Sequence, residues 1–341
     1  MKVGKSHIAW LFLLSGITLL FFSVNISLGS VHIPFKEVFN GLFGSPMSNQ
    51  NWEYIIFDYR MPKAITSVLV GSGLGVSGLL MQTLFKNPLA GPFVLGITSG
   101  ASLGVALIIL GASAFGFAFL AATKWNIIIA AGLGCFTVLL AVIAVSSKIR
   151  NTMAILIIGL MFASFTSSLV SVFSFFSSAE ALQQFIFWGF GSLGNLAWQE
   201  VRILGLLILI GLLLCLFLVK RLDALLLGDN YAQTLGINLK KVRLLIIIVT
   251  SILAGTITAF AGPIAFIGLA VPHFARLIFA TASHKVLLPA TIFLGAILLL
   301  ICDIVSQVPF YNYTLPINAV TSLIGAPIII WLLVRKRKLN F

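Results

Sequence analysis

Residues Gly71–Gly104 read GSGLGVSGLLMQTLFKNPLAGPFVLGITSGASLG, with Lys86 as the lone charge. On either side of the polar break at Lys86–Pro88 the apolar character continues, from Ile65 to Leu84 and from Phe93 to Gly111. Each run is close to the ~20 residues that a helix needs to cross the hydrocarbon layer. The stretch therefore reads as two membrane spans joined by a tight turn. Gly91, Pro92, Gly96, Gly100 and Gly104 open the second span. They serve either close approach between helices or a break where backbone lines a cavity.

The same length criterion, applied outward, finds further runs at Ile8–Ile26, Trp125–Val145, Met153–Phe176, Ile203–Val219, Leu244–Phe260, Ile264–Phe279, Val286–Ile304 and Ile317–Val334. With the first two they make about ten. Composition agrees, since 60% of the 341 residues are hydrophobic and only 9% are charged, against roughly a quarter charged in a soluble domain. The expected fold class is an all-α polytopic membrane protein of about ten transmembrane helices, forming one transmembrane domain over residues 1–341. The first run is too long, and its exit too poor in small residues, for a removed signal peptide, so it is expected to remain as a span.

The formal net charge of +13 would suggest nucleic acid in a soluble protein. Threading the spans with both termini in the cytoplasm instead places Lys2, Lys5, Lys86, Lys148, Arg150, Lys220, Arg221, Lys240, Lys241, Arg243, Arg276, Lys285 and the tail Arg335, Lys336, Arg337 and Lys338 inside. Lys36, Arg60, Lys63, Lys124 and Arg202 fall outside. That positive-inside bias accounts for the charge through a lipid bilayer, and no nucleic-acid partner is expected. Cys135, Cys215 and Cys302 lie in three different apolar runs and read as small buried hydrophobes, neither a disulfide framework nor a metal set.

Two connecting stretches are long enough to carry structure. The external loop 27–63 contains Pro34, Pro46, Glu37, Glu53 and Asp58 and is expected to form a lid or short helices. The internal stretch 220–243 reads KRLDALLLGDNYAQTLGINLKKVR. There Asp229 or Asn230 can cap a short helix that Gly236 ends. Leu225, Leu226, Leu227 and Leu235 would form its apolar face, with Lys240, Lys241 and Arg243 at the lipid headgroups. The pattern fits either a protrusion that takes force from a soluble motor or a connector lying on the membrane surface.

Three further features bear on function. LAGPFVLGI at Leu89 is echoed by FAGPIAFIGL at Phe260, with opposite orientation across the membrane, as in an inverted repeat. Ser164, Ser168, Ser171 and Ser174 recur every three or four residues among Phe165, Phe173, Phe175 and Phe176. They form one helical stripe, which suits either the passage of a bulky amphipathic solute or hydrogen bonding between helices. Asp303, His273 and Arg276 sit where a proton relay would, but also near span ends where snorkelling or capping accounts for them.

Met61-Pro62 after Arg60, then Gly71–Gly104, LLLGDNYAQTLGI at Leu225, GPIAFIGLAVPHFAR at Gly262 and LPINAVTSLIGAPIIIWLL at Leu315 follow in order. This succession resembles the signature blocks of the iron-siderophore, haem and cobalamin ABC importer permeases. The resemblance implies a second permease subunit, most simply a homodimer, with the translocation path at the interface, two ATP-binding subunits below and a periplasmic or lipid-anchored substrate-binding protein above. It implies that Leu225, Leu227, Gly228, Asp229, Ala232, Leu235 and Gly236 form the loop seated in each ATPase. ATP and magnesium would then be bound by the partner, and this chain would be a transport subunit with no catalytic residue, cofactor or metal of its own. Asn87 and Leu89 match the family's cytoplasmic gate, although Asn87-Pro88 also suits a simple turn.

Arg60 and Lys63 match basic residues of the outer surface that pair with carboxylates of the binding protein. The second docking patch departs from the family, with Ser306-Gln307 where Ala-Arg is usual and Thr314 in place of Glu. Docking through Gln307 and Thr314 would rest more on hydrogen bonds and shape. The serine stripe would line the path. The function expected is import of a ferric siderophore or similar iron chelate across the cytoplasmic (inner) membrane of a bacterium, with cobalamin or haem as alternatives. An ion-coupled secondary transporter is the alternative of another class. A membrane enzyme built on His273 and Asp303 lacks any paired ligand motif such as HExxH.

Overall fold

The computed structural model describes residues 5–111, 123–146, 152–308 and 313–335. Lys2, Lys148, Arg150, Lys336, Arg337 and Lys338 lie outside the described residues.

The element that organises the bundle is the helix carrying the first half of the deciding stretch. Helix α1 (Lys5–Ser27) and the short α2 (Phe35–Leu42) precede α3 (Gln50–Phe85), a continuous 36-residue helix that passes through a π-helical turn at Ile55–Arg60. The external loop is therefore shorter than expected. Residues 50–63 belong to α3, whose start is fixed by the Asn49 side chain accepting from the Asn51 amide at 2.9 Å. Ile56 is buried there beside Ile26, Ile33 and Val38, and apolar contact extends the helix outward beyond the run read from hydropathy.

Helix α3 packs against α8 (Trp198–Leu226), α10 (Leu239–Ala261), α11 (Ile267–Phe279) and α12 (His284–Ser306). Its second half is buried from Val70 through Phe85 without interruption. Its small residues make this possible. A Cβ on Gly71 would lie 2.2 Å from the Gly295 carbonyl oxygen, and one on Gly78 would lie 1.7 Å from that of Gly268. In lipid, apolar surface gives helices little reason to associate, so such backbone contact and the dispersion it brings hold the bundle together. The Ser72 hydroxyl adds a hydrogen bond to the Ile292 carbonyl at 3.1 Å.

A second layer comprises α4 (Ile97–Gly111), α5 (Lys124–Ser146) and α6 (Thr152–Phe176), with α4 packed on both others. Both readings of the glycine run hold, each for different residues. Gly100 and Gly104 are packing positions, set against Gly134 and Ala130 of α5. Gly91 and Gly96 belong to a break, in which a single 3-10 turn (Pro92–Leu95) ends at Gly96 with φ 73°, a left-handed conformation that a side chain disfavours. The bundle is completed by α7 (Ala179–Gly189), α9 (Asp229–Thr234) and α13 (Ile317–Arg335).

The echo of the first Gly-Pro segment folds in a similar way. Helix α10 ends at Ala261, residues 262–266 are non-helical, and α11 starts after Phe266 with φ 66°. The first break meets the opening turn of α11, just past the second. A Cβ on Gly268 would lie 3.0 Å from Pro92 Cδ, and one on Gly91 would lie 3.1 Å from Leu269. Irregular backbone is tolerable at membrane depth only where protein covers it; here the start of α11 covers the first break, and Trp188 and Gly191 lie against Gly262 in the second.

Seven helices among the described residues are long and apolar enough to cross a membrane, and Ile97–Gly111, Ile267–Phe279 and Ile317–Trp331 are shorter apolar helices. Two of the three short ones follow the Gly-Pro breaks, so chain that would have lengthened a span is spent on the break.

Candidate transport site

The residues singled out in the sequence gather at the two ends of α3 and along α6. At the outer end, Asp303 of α12 is almost fully buried and surrounded by donors. Lys63 Nζ lies 3.0 Å from Oδ1. Asn25 Nδ2 and Gln307 Nε2 each donate to Oδ2 at 2.9 Å. One carboxylate thus joins the C-terminal turn of α1, the outer third of α3 and the last turn of α12. A buried charge of this kind is tolerated only when paired and hydrogen-bonded.

Arg60 is buried as well, which differs from its expected place on the outer surface. Its guanidinium donates to the carbonyls of Ile26 (3.0 Å) and Ser27 (2.9 Å) and to that of Val31. These include the last carbonyls of α1, which have no partner within the helix. Arg60 is therefore the C-terminal cap of α1, and Lys63, with 11% of its side chain exposed, is committed to Asp303. Gln307 is buried and Thr314 is exposed. Arg60, Lys63, Gln307 and Thr314 nevertheless line one outer cavity of about 310 Å³, together with Tyr54 and Tyr59. Asn25 was missed by sequence reasoning. A lone polar residue near the end of a span gave it no distinguishing signal.

At its other end, α3 stops at Lys86, whose backbone is left-handed with φ 48°. The Asn87 side chain then accepts from the Leu89 amide at 2.9 Å, and the Ala90 amide donates to the Asn87 carbonyl. Asn87 thus makes the turn, while Leu89 stands 43% exposed. Around this hairpin the neighbouring helices supply polar contacts. His273 of α11 bonds the Pro88 carbonyl at 3.1 Å, Arg276 donates to the Gln82 side chain, and Gln82 donates to the Leu269 carbonyl at 3.1 Å. His273 and Arg276 are therefore tied to the hairpin. His284, buried at the start of α12, bridges Thr83 of α3 at 2.9 Å and Asp223 of α8 at 2.7 Å.

The loop 220–243 is narrower than expected, because α8 continues to Leu226 and buries Leu225. Ala232 is buried too. Between α8 and α10 stands the six-residue α9, which exposes Tyr231, and Leu227 and Leu235 on either side of it are exposed too. Gly228 and Gly236 bracket it with φ 108° and 78°, so Gly236 ends the helix as expected. Asp229 does not cap α9. Its carboxylate instead pairs with Lys86 at 3.2 Å and with the Arg243 guanidinium. Tyr231 was missed, since an aromatic inside a polar hexapeptide carried no period. Asp229, Lys240, Lys241 and Arg243 line a cavity of about 750 Å³ with Ile143 and Ile155.

On α6, Ser164, Ser168 and Ser171 are exposed and Ser174 is half-buried. Their hydroxyls bond their own helix: Ser168 to the Ser164 carbonyl at 3.0 Å, Ser171 to that of Ser167 at 3.0 Å, and Ser174 to that of Val170 at 2.9 Å. The stripe shares an outward face with Met161, Phe165, Val172 and Phe175. It leaves its hydroxyl oxygens as acceptors instead of stitching neighbouring helices together. The three cysteines are free and buried.

A bundle of helices this long and apolar, with irregular backbone covered in its interior, defines a multi-span membrane protein. The chain belongs to the FecCD transport family, which it matches over residues 17–335. It is 34% identical to the hemin transport system permease protein of Yersinia pestis, over 94% of this chain and 95% of that one. It is also 34% identical to the vitamin B12 import system permease protein of Salmonella arizonae, over 84% of each. A solved structure described as the inward-facing conformation of a metal-chelate type ABC transporter superposes with a TM-score of 0.84 at 29% identity, covering 96% of this chain and 99% of that one.

Proposed function

We propose that this chain is the permease subunit of an ABC importer that moves a ferric siderophore or similar iron chelate inward across a bacterial cytoplasmic membrane, with both termini in the cytoplasm and ten crossings. ATP is hydrolysed on a separate subunit. The observation that carries the reading is α9, a short helix bracketed by two left-handed glycines that, with its flanking residues, presents Leu227, Tyr231 and Leu235 to solvent. A monomer has no reason to expose that apolar cluster, whereas a soluble motor protein that seats it does.

The family and the names of the relatives support the substrate class, and they leave haem and cobalamin as the alternatives. The exposed serine and phenylalanine face of α6 suits a path formed with a second copy, because hydroxyl oxygens and aromatic faces pass an amphipathic solute without a tight site. An ion-coupled carrier would need a carboxylate free to load a cation within the membrane, and Asp303 is already held by Lys63, Asn25 and Gln307. Docking of a binding protein at the outer cavity would use Thr314, Tyr54 and Tyr59 by shape and hydrogen bonding, since Arg60 and Lys63 are spent internally.

The test is uptake of labelled ferric chelate, haem and cobalamin by proteoliposomes holding the permease, its ATPase and its binding protein. ATP-dependent uptake of the iron chelate in preference to the other two is expected. Accumulation by the purified chain alone, without nucleotide, would overturn the reading.

A further inference from the structure

Helix α9 and the hairpin at residues 86–90 meet through one carboxylate. Asp229 is the first residue of α9, and its Oδ1 lies 3.2 Å from Lys86 Nζ while Oδ2 takes the Arg243 guanidinium. Lys86 immediately precedes Asn87, and the Asn87 side chain ties the Leu89 amide, so displacement of Lys86 is carried into Leu89 through a closed turn. The far side of the hairpin is held by α11 through His273 and Pro88. A pull at Asp229 therefore acts against a fixed point and tilts the hairpin.

We propose that the Lys86–Asp229 ion pair is the link that passes movement of α9 to the hairpin bearing Leu89, with Arg243 keeping the Asp229 carboxylate aimed. This rests on the reading of α9 as the element seated in an ATPase. Both partners remain hydrated, with 47% and 37% of their side chains exposed. Such a pair is broken and remade at little cost. The Lys86 stem keeps contact over a range of positions, as a moving joint requires. The companion chain Thr83–His284–Asp223 is buried at its centre and fixes α3 to α8 and α12 instead.

The test uses the complete complex in proteoliposomes and reads substrate moved per ATP hydrolysed. Lys86→Met keeps the apolar stem and removes the charge. It is expected to lower that ratio about two- to fivefold, the scale available to an exposed pair, while ATPase retention and turnover stay unchanged. Lys86→Arg restores the ratio. In the unmodified protein the ratio falls as ionic strength rises and the screening length shrinks from ~10 Å toward ~3 Å, whereas Lys86→Met shows no such fall. An unchanged ratio in Lys86→Met, loss of the ATPase from that variant, or a salt-independent ratio in the unmodified protein would each overturn the link. Nucleotide-independent uptake by the unmodified protein would instead sink the permease reading, and the link with it.

Discussion

The two ends of α3 solve the same problem in opposite ways. At the outer end a lysine and an aspartate are buried together, with Asn25 and Gln307 filling the remaining acceptor sites of the carboxylate. At the cytoplasmic end a lysine and an aspartate meet in solvent, and the backbone between α3 and α4 turns through a left-handed lysine. A buried ion pair that loses one partner leaves an unpaired charge and is costly to break. An exposed one is not. The Asp303 end is therefore costly to break and the Asp229 end is not, at the two ends of one helix pinned by glycine-to-backbone contacts in its middle.

The sharpest way to break that contrast is to strip the outer carboxylate. Asp303→Ala should destabilise the protein by about 3–5 kcal/mol, because Lys63 is left buried and unpaired. Thermal unfolding in detergent would read this. The double variant Lys63→Met with Asp303→Leu should recover much of the loss. An Asp303→Ala protein as stable as its parent would remove the distinction between the two ends.

Next in size is the middle of α3. Gly78→Ala places a Cβ 1.7 Å from the Gly268 carbonyl oxygen, and overpacking of this order costs about 1–3 kcal/mol, read in the same melt. The cytoplasmic end predicts a functional loss instead. Gly236 has φ 78° and open space around its Cβ position, so Gly236→Val strains the backbone by about 1–2 kcal/mol within α9's exit alone. Retention of an ATPase on co-purification should fall, with little change in melting of the bundle.

The smallest effect belongs to the outer cavity. Thr314→Glu adds one negative charge at its exposed rim. It should shift binding-protein affinity by less than about 1 kcal/mol while making it more salt-dependent, as titration at two ionic strengths would show, with basal ATPase turnover unaltered.

Much of this was legible in the chain itself. The apolar runs, the Gly-Pro breaks at Gly91 and Gly262, the stop at Gly236 and the serine stripe of α6 all depend on local composition and period, which hydropathy and backbone preference encode directly. The division of labour inside the glycine run was not legible. Gly96 and Gly100 look alike in sequence, and only the first is left-handed, while the second lies against Gly134.

Reading along the chain also misplaced the outer charges. Arg60 and Lys63 precede the apolar run that starts at Ile65 and look like surface cations, yet one caps α1 and the other is neutralised by a residue of α12. Sequence by itself determined that this is a bundle of membrane helices, since burial in lipid is a property of each segment taken alone. Which charges pair, and hence which pair is buried and which stays hydrated, was decided only in three dimensions. A charge in low dielectric is stabilised by partners that the fold brings from far along the chain, as Asn25 and Lys63 are brought to Asp303.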